Sequence, residues 1–346
     1  MHAGLETEGR DVTAKVWGGY ELILADLDGV VYEGKNAIDG APEVLGELRQ
    51  AGVDIGYVTN NSSRKAETIV QQIAGFGVSA DPHEIIGSAQ TGVELLATLV
   101  APGSKVLVVG GEGLRFWVES SGFELVASAD DKPDAVIQGF APDVAWRDLA
   151  EAAFAIQGGA KWVATNSDWT LPQERGLAPG NGTLVSAVHT AVGQMPLVAG
   201  KPEPAIFNTA LRVFGLDPAS AQDRAKTLFI GDRIDTDIVG ANKAGLDSIL
   251  VLTGVSQRKD ALAAKAGERP TYILENLREL RLPYAEPKQT KRGFACLGAE
   301  VELLGNRVVV TQGDAASIGA LRAAAAVIWG SGKAIYTLDV EPALYL

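Results

Sequence analysis

The stretch that decides the fold is "YELILADLDGVVYEGK", residues 20–35, in which two aspartates directly follow an apolar run. The four apolar residues 22–25 have the length and composition of a short buried strand. Asp26 and Asp28 come where that strand would end, and Gly29 follows at once. A D-x-D pair on its own is typical of an exposed turn or a helix cap, so its meaning depends on the rest of the chain.

Three further sets of polar residues follow apolar runs in the same way. They are Thr59, Asn60 and Asn61 in "DIGYVTNN", Lys201 in "GKPEP", and Asp232, Asp235 and Asp237 in "FIGDRIDTDI". Strand-like and helix-like segments alternate along the chain, which predicts parallel strands whose carboxyl ends meet at one edge of a sheet. Carboxylates gathered there repel one another unless a cation joins them, and such oxygen ligands suit Mg²⁺. The sequence therefore predicts a magnesium site with a lysine and a hydroxyl nearby to hold a phosphate.

Composition limits the classes of function. The chain has 346 residues, enough for two or three domains, and its net charge is −13 with no basic stripe, which argues against nucleic acid as a partner. No apolar stretch approaches the length of a membrane span, and residues 1–19 lack the apolar core of a signal peptide. We therefore predict a cytoplasmic protein without a membrane partner. The single cysteine, Cys296, precludes an internal disulfide and is predicted to be structural.

The alternating segments predict an α/β fold in which residues 60–200 are too long for an ordinary connection and look like an insertion that splits one sheet domain. Residues 286–293, "EPKQTKRG", are polar and predict a linker. After it we expect a strand over "FACLGAEVELL", residues 294–304, then a second strand, "RVVVTQ". An alanine-rich helix over residues 315–329 and a short strand over "KAIYTL", residues 333–338, would complete a small α+β tail.

Taken in order, the motifs resemble the haloacid dehalogenase superfamily of aspartate-nucleophile phosphatases. The resemblance rests on D-x-D-G at Asp26–Gly29, on Thr59, on Lys201 and on G-D-x-x-x-x-D at Gly231–Asp237. The words "DLDGVVYEG", "TNNSSR" and "GKP" are similar to the subgroup that contains phosphoglycolate, pyridoxal-phosphate and 4-nitrophenylphosphate phosphatases. The likeness extends over residues 20–282.

The resemblance implies the domain organisation. It predicts a Rossmann-like parallel-sheet core in two parts, residues 1–83 and 196–285, with an inserted α/β cap, residues 84–195, and a linker and α+β appendage, residues 286–346. A cap that closes over the site excludes water and bulky phosphoproteins, so a small phosphorylated metabolite is the expected substrate.

The resemblance also implies a covalent mechanism. Asp26 would attack phosphorus to form an aspartyl phosphate, and Asp28 would first protonate the departing alcohol and then take a proton from the hydrolytic water. Mg²⁺ would be held by the Asp26 carboxylate, the Asp28 backbone carbonyl and Asp232. Lys201 would offset the charge of the nucleophile and the phosphoryl group.

Further residues are expected around these groups. Thr59, Asn60 through its backbone N–H, and Asn61 would bind the phosphoryl oxygens, and Asp237 would orient Lys201 or a metal-bound water. Asp235 has two interpretations, a supporting carboxylate behind the site or a member of a surface loop.

The cap stretch "ATNSDWTLPQERGLAPGNGTL", residues 164–184, is predicted to contact substrate through Asn166, Asp168 and Arg175. An ordinary polar surface loop is the alternative. Neutral hydrogen-bonding groups beside an acid suit the hydroxyls of glycerol phosphate better than the second carboxylate of phosphoglycolate.

The tail resembles a fragment of the acetyltransferase fold, but it lacks the acetyl-CoA loop, so acetyl transfer is not expected. A phosphatase joined to such a remnant is similar to glycerol-3-phosphate phosphatases, which implies glycerol 3-phosphate as substrate. Phosphoglycolate, pyridoxal phosphate and nucleotides stay open as substrates of the same subgroup. A phosphomutase or phosphonatase, and a non-catalytic module that senses phosphorylated metabolites, are further alternatives. Of the interpretations of the tail, we favour a packing or dimer-forming appendage, which leaves a homo-oligomer open.

Overall fold

The structure is a computed structural model that describes residues 16–173 and 175–345. Residues 1–15, on which the prediction of a missing signal peptide largely rests, lie outside the described residues. The strands are β1 (Leu22–Ala25), β2 (Tyr32–Glu33), β3 (Asn36–Ala37), β4 (Asp54–Thr59), β5 (Ile85–Gly87), β6 (Lys105–Val109), β7 (Glu124–Val126), β8 (Ala135–Gln138), β9 (Lys161–Ala164), β10 (Thr170–Gln173), β11 (Gly176–Pro179), β12 (Leu197–Val198), β13 (Thr227–Gly231), β14 (Asp247–Val251), β15 (Tyr272–Leu274), β16 (Lys288–Gln289), β17 (Gly293–Cys296), β18 (Ala299–Leu304), β19 (Arg307–Gln312) and β20 (Asp339–Val340). The helices are α1 (Ala41–Gln50), α2 (Ala66–Ala74), α3 (Ser88–Ala97), α4 (Glu112–Ser120), α5 (Trp146–Gln157), α6 (Asn181–Val192), α7 (Ala205–Val213), α8 (Ala221–Ala225), α9 (Val239–Ala244), α10 (Arg258–Ala263) and α11 (Ile318–Ser331).

A six-stranded parallel sheet forms the core, in the order β15-β14-β13-β1-β4-β5. The apolar run before Asp26 becomes the central strand β1, whose last residue, Ala25, pairs with Ile230 on one side and Tyr57 on the other. Alternate residues of the strands pack against α1 and α2 on one face and against α7 and α9 on the other. The carboxyl ends of β1, β4 and β13 therefore lie side by side, as parallel pairing requires.

The inserted segment builds a second parallel sheet of five strands, in the order β12-β9-β8-β6-β7. Helices α3 and α4 cover one face, α5 and α6 the other, and the antiparallel hairpin β10–β11 projects beside it. Both boundaries between the core sheet and the cap sheet lie slightly later in the chain than predicted. Strand β5 still belongs to the core sheet, and β12 still belongs to the cap sheet. The division at residues 84 and 196 stays a prediction, and the α/β core with an inserted α/β cap is confirmed as the fold class.

The tail is a small mixed sheet, β16-β17-β18-β19-β20, packed on α11. The single strand predicted over residues 294–304 is wrong, because Leu297 and Gly298 both have positive φ, 49° and 84°, and turn the chain into the β17–β18 hairpin. Two successive residues with positive φ are typical of a tight two-residue hairpin turn. The strand predicted over residues 333–338 is also wrong, since Ile335–Thr337 forms a 3₁₀ turn and β20 follows it.

The tail shares a hydrophobic core with the edge of the main sheet. Leu250 and Ile273 from the sheet lie in one buried cluster with Val301 and Leu321 from the tail, and Ile234 from the "GDRIDTDI" segment joins the same cluster. The predicted linker carries β16, and Cys296 is a free, buried thiol in this cluster. Among the described residues, no helix combines the length and apolarity needed to cross a bilayer.

Candidate active site

Five polar side chains from separate parts of the chain converge at the carboxyl edge of the core sheet. All five residues are less than 10% exposed, and they are Asp26, Thr59, Lys201, Asp232 and Asp237. The first follows β1, the second ends β4, and the two later aspartates follow β13. Lys201 enters from the loop between β12 and α7, where the chain returns from the cap. The structure thus brings together the strand-end residues that the sequence singled out.

The ammonium of Lys201 is the electrostatic centre of the cluster. Its Nζ lies 2.7 Å from Asp26 Oδ1 and 2.7 Å from Asp237 Oδ1, and it donates to the carbonyl of Val58 at 3.4 Å. Burial alone would lower the pKa of Lys201, but the carboxylates of Asp237 and Asp26 raise it above its usual range. Lys201 therefore stays charged and fixes the orientation of the Asp26 carboxylate.

The cluster can hold a cation. Asp26, Asp232 and Asp237 each offer an oxygen within 4.8 Å of the others. Asp237 is already used, since its Oδ2 accepts the backbone N–H groups of Asp232 and Arg233 at 3.1 and 3.0 Å and its Oδ1 faces Lys201. Asp232 Oδ1, by contrast, is buried without a hydrogen-bond partner among the described residues. Asp26 and Asp232 are therefore the oxygen donors that fit Mg²⁺, with Asp237 supporting them from behind.

The charge balance of the cluster points the same way. Burial raises the pKa of Asp26 well above its usual range, with Lys201 opposing and Asp237 and Asp232 adding to the rise. Burial and the neighbouring Asp237 raise the pKa of Asp232 to about 7. Three buried carboxylates facing one ammonium leave an excess of negative charge, which a divalent cation neutralises.

A pH-dependent stabilisation by magnesium follows from these shifts. Because the folded-state pKa of Asp232, about 7, exceeds its usual 3.8, the metal-free fold loses stability as the pH rises between these values. Mg²⁺ binds the deprotonated carboxylate, so we expect it to raise Tm more at about pH 8 than at about pH 5.5. Scanning fluorimetry with Mg²⁺ measures the shift, and Asp235→Asn is the control that should keep it. A shift of equal size at both pH values would contradict the prediction.

Asp28 is exposed at the mouth of the site. Two residues that the sequence did not lead us to expect, Tyr32 and Arg64, lie beside it. Tyr32 Oη donates to Asp28 Oδ2 at 3.5 Å, and Arg64 Nη2 donates to Tyr32 Oη at 3.3 Å. Desolvation raises the pKa of Asp28, while Arg64 and Lys201 oppose the rise. Tyr32 and Arg64 lie within "DLDGVVYEG" and "TNNSSR", two of the words on which the family resemblance rests. Their position in these words is the signal that could have identified them.

Gly29 allows the close approach of the two acidic motifs. Its φ is +82°, and a Cβ there would come 2.5 Å from Asp232 Oδ2. A side chain at this position would push the carboxylate aside, which explains why glycine follows the D-x-D pair.

The loop after β4 is held by its own polar groups. The backbone N–H of Asn61 donates to Thr59 Oγ1 at 3.1 Å, and Asn61 Oδ1 accepts the Ser63 N–H at 3.0 Å. Because the Thr59 oxygen accepts this bond, its hydroxyl proton stays available for a phosphoryl oxygen. The side chain of Asn61 braces the loop itself, and its predicted contact with phosphate stays a prediction.

Asn60 joins three parts of the molecule. Its Oδ1 accepts the Lys201 N–H at 2.8 Å, and its Nδ2 donates to the Lys201 carbonyl and to both carboxylate oxygens of Asp168, each at 3.1 Å. The side-chain amide, which sequence reasoning had not assigned, thus positions Lys201 and connects the core to the cap.

The cap loop reaches the site through Asp168. Asn166 Nδ2 donates to the carbonyl of Asn60 at 2.7 Å, and Asn166 Oδ1 accepts the Asp168 N–H at 3.2 Å. Desolvation raises the pKa of Asp168, with the Asn60 amide opposing. Arg175 lies at the exposed turn between β10 and β11 and makes no hydrogen bond or ion pair with the other described residues. The structure therefore assembles Asn166 and Asp168 but leaves Arg175 outside this cluster.

Asp235 is exposed on the far side of the π-helical turn Ile234–Ile238. Its two carboxylate oxygens accept from Arg233 at 3.1 and 2.8 Å. Of its two predicted interpretations, this geometry matches the surface loop more closely.

Comparison with known proteins agrees with this geometry. A haloacid dehalogenase-like hydrolase model matches residues 23–124, and a second HAD-hydrolase-like model matches residues 198–280. The D-glycerol 3-phosphate phosphatase of Mycobacterium tuberculosis is 45% identical over 261 residues, which are 75% of this chain and 71% of that protein. The chain belongs to the haloacid dehalogenase-like hydrolases. An acid sugar phosphatase of Staphylococcus aureus is 36% identical over 260 residues, 75% of this chain and 96% of that one.

Solved structures extend the likeness. The crystal structure of the M. tuberculosis glycerol phosphate phosphatase in complex with magnesium has a TM-score of 0.84 at 39% identity and covers 95% of both chains. A Geobacillus stearothermophilus NPPase has a TM-score of 0.67 at 34% identity, over 75% of this chain and 97% of its own. The predicted resemblance to this family is confirmed. The named relatives are phosphatases, and one of them was crystallised with magnesium, which agrees with the predicted activity and cofactor. The acetyltransferase-like character of the tail stays a prediction.

Proposed function

We propose that this hydrolase is a Mg²⁺-dependent phosphatase that converts glycerol 3-phosphate to glycerol and phosphate through an aspartyl phosphate on Asp26. The observation that supports phosphoryl transfer to a carboxylate is the buried Asp26 side chain. Its Oδ1 lies 2.7 Å from Lys201 Nζ, in a cluster with excess negative charge. A structural carboxylate would be neutralised by its partners, whereas this one is oriented by a single ammonium and left next to donors for a metal and a phosphate.

The reaction proceeds in two displacements. In the first, a carboxylate oxygen of Asp26 forms a bond to phosphorus, the bond from phosphorus to the glycerol oxygen breaks, and Asp28 gives its proton to that oxygen. In the second, Asp28 takes a proton from a water that attacks phosphorus, and the bond to Asp26 breaks to release phosphate. The raised pKa of Asp28 favours the protonated form that the first step needs.

The surrounding groups hold the phosphoryl oxygens. Thr59 donates its hydroxyl proton, and Lys201 balances the charge of Asp26 while Asp237 and Asn60 hold the lysine in place. Asp26, Asp232 and the backbone carbonyl of Asp28 would hold Mg²⁺. Bound there, the metal neutralises charge on the transferring phosphoryl group.

Two features support glycerol 3-phosphate as the substrate. The cap presents the acid Asp168 beside the amides of Asn60 and Asn166, a set suited to hydroxyl groups. In addition, the match to the M. tuberculosis glycerol phosphate phosphatase covers 95% of this chain, a share too large to omit the tail, whereas the NPPase match covers 75%. The tail of this chain therefore has a structural counterpart in that relative.

A substrate panel tests the proposal. With Mg²⁺ present, kcat/KM should be highest for glycerol 3-phosphate among a set that also contains phosphoglycolate, pyridoxal phosphate, a sugar phosphate and nucleoside monophosphates. Phosphate release is the measurement, which also separates hydrolysis from phosphomutase chemistry and from mere binding. A rank near the bottom for glycerol 3-phosphate would overturn the substrate, and no phosphate from any ester would overturn the reaction class.

For partners and location, we propose a small metabolite in the cytoplasm, with neither nucleic acid nor membrane as a partner. The net charge of −13 supports the first exclusion, because neutralising phosphates along a nucleic acid requires a basic surface. A homo-oligomer stays a prediction, which light scattering on the purified protein would test.

A further inference from the structure

A loop after β14, residues 253–256, holds both acidic motifs of the site. The Val255 N–H donates to Asp232 Oδ2 at 2.6 Å, and the Ser256 N–H donates to the Asp232 carbonyl at 3.0 Å. Thr253 Oγ1 donates to the carbonyl of Gly29 at 2.6 Å. This loop, called the clamp loop below, therefore fixes the rotation of the Asp232 carboxylate. It leaves Oδ1, the oxygen without a partner, for the metal.

The fit between the clamp loop and Asp232 is close. A Cβ on Gly254 would lie 2.0 Å from Asp232 Oδ2, so the loop backbone presses directly against the carboxylate. The hydroxyl of Ser256 accepts the N–H of Ile234 at 3.0 Å and ties the loop to the segment that carries Asp237. A small displacement of the loop would therefore rotate the Asp232 carboxylate or break its hydrogen bond with the Val255 N–H.

Two residues further on, Arg258 connects the clamp loop to the C-terminal tail. The residue is 7% exposed, and Nη2 donates to the carbonyls of Ser317 and Ala315 at 2.9 and 3.4 Å. Its Nε donates to the carbonyl of Leu344 at 3.4 Å, and its Nη1 pairs with Glu275 at 2.9 Å. One core side chain thus binds the start of α11 and the end of the described chain.

We propose that Arg258 is a positioning residue through which the tail holds the clamp loop against Asp232 and thereby raises the affinity for Mg²⁺. The inference rests on the metal site of the proposed function. It assigns the tail a role in positioning Asp232 for the metal. Without the guanidinium, three tail carbonyls lose a donor and the start of α10 is free to shift. Metal binding would then have to order the loop, which lowers the apparent affinity.

The test compares two buried arginines that both join the tail to the core. Arg322 is 4% exposed and donates to the carbonyl of Ile273 at 2.9 Å and to Glu279 at 2.6 Å, with no hydrogen bond to the clamp loop among the described contacts. Arg258→Met and Arg322→Met therefore remove similar tail contacts at different places. Electron paramagnetic resonance with Mn²⁺ alone, without substrate, measures the metal Kd of each.

We expect Arg258→Met to raise the Mn²⁺ Kd about 10-fold and Arg322→Met to leave it within about 2-fold of the original protein. The Mg²⁺ concentration for half-maximal phosphate release should rise in parallel for Arg258→Met, whereas kcat at saturating Mg²⁺ should change by less than about 2-fold. A merely structural residue would lower Tm without this separation. Arg258→Lys keeps a cation that can reach part of the acceptors and should give an intermediate Kd.

An unchanged Kd in Arg258→Met would overturn the proposal, and so would an equal rise in Arg322→Met, since the effect would then be general loosening of the tail. If Arg258→Met does not fold, Arg258→Lys decides in its place, and an unchanged Kd overturns the proposal there too. Absence of Mn²⁺ binding in the original protein would instead overturn the metal site of the proposed function, which keeps the two failures apart.

Discussion

Asp26→Asn is expected to lower kcat for phosphate release by at least about 10⁴-fold, because an amide oxygen does not form the acyl phosphate on which turnover depends. The substitution preserves shape, so one oxygen can still accept from Lys201, which lies 2.7 Å from Asp26 Oδ1. Asp232 Oδ1 remains as a metal donor. Mg²⁺ and inorganic phosphate should therefore still bind, and the loss should be confined to chemistry.

The matched control is Asp235→Asn, which removes a nearby carboxylate that is exposed and pairs with Arg233. It should keep kcat within about 2-fold of the original protein, because an exposed ion pair contributes little to the stability of the fold. Phosphate release measures kcat, and Mn²⁺ resonance together with thermal unfolding confirms binding and folding in each variant. A near-normal rate in Asp26→Asn would remove the nucleophile assignment.

The sequence predicted the site well where its geometry follows from local rules. The runs before Asp26 and Asp232 form adjacent parallel strands, so their carboxylates meet because parallel strands end at one edge. Lys201 lies with them, as predicted, although residues 60–200 separate it from Thr59, since the chain returns from the cap at that edge in the loop between β12 and α7. Register and strand direction carry this information, and both leave a pattern in the sequence.

The parts of the site that were not predicted depend on contacts between residues far apart in the chain. Such contacts leave no periodic pattern in the sequence. Nothing local shows that the Asn60 amide would join Lys201 to Asp168, or that Arg258 would bind carbonyls of the tail. The hairpin at Leu297 was missed because a non-glycine residue rarely adopts positive φ, so an apolar run through it looks like one strand. Long-range pairing and unusual backbone conformations are therefore what the sequence alone conceals.

Asp28→Asn should separate the two displacements. With glycerol 3-phosphate the departing alcohol needs a proton, so kcat should fall by about 10³-fold, within the range for loss of a general acid–base group. With 4-nitrophenyl phosphate the leaving group departs without a proton, so the first displacement should persist. The second still requires a base to take a proton from water, and it should be slow with either ester.

The expected result with 4-nitrophenyl phosphate is a rapid burst of one nitrophenolate per active site, followed by slow turnover as the aspartyl phosphate accumulates. Stopped-flow absorbance measures the burst, and denaturing mass spectrometry should show one added phosphoryl group. Glu33→Gln, at an exposed carboxylate in the adjacent β2–β3 hairpin, is the control and should turn over steadily. Slow release of nitrophenolate from the start, without a burst, would instead assign Asp28 to binding, because loss of a proton carrier alone leaves the first displacement of 4-nitrophenyl phosphate intact.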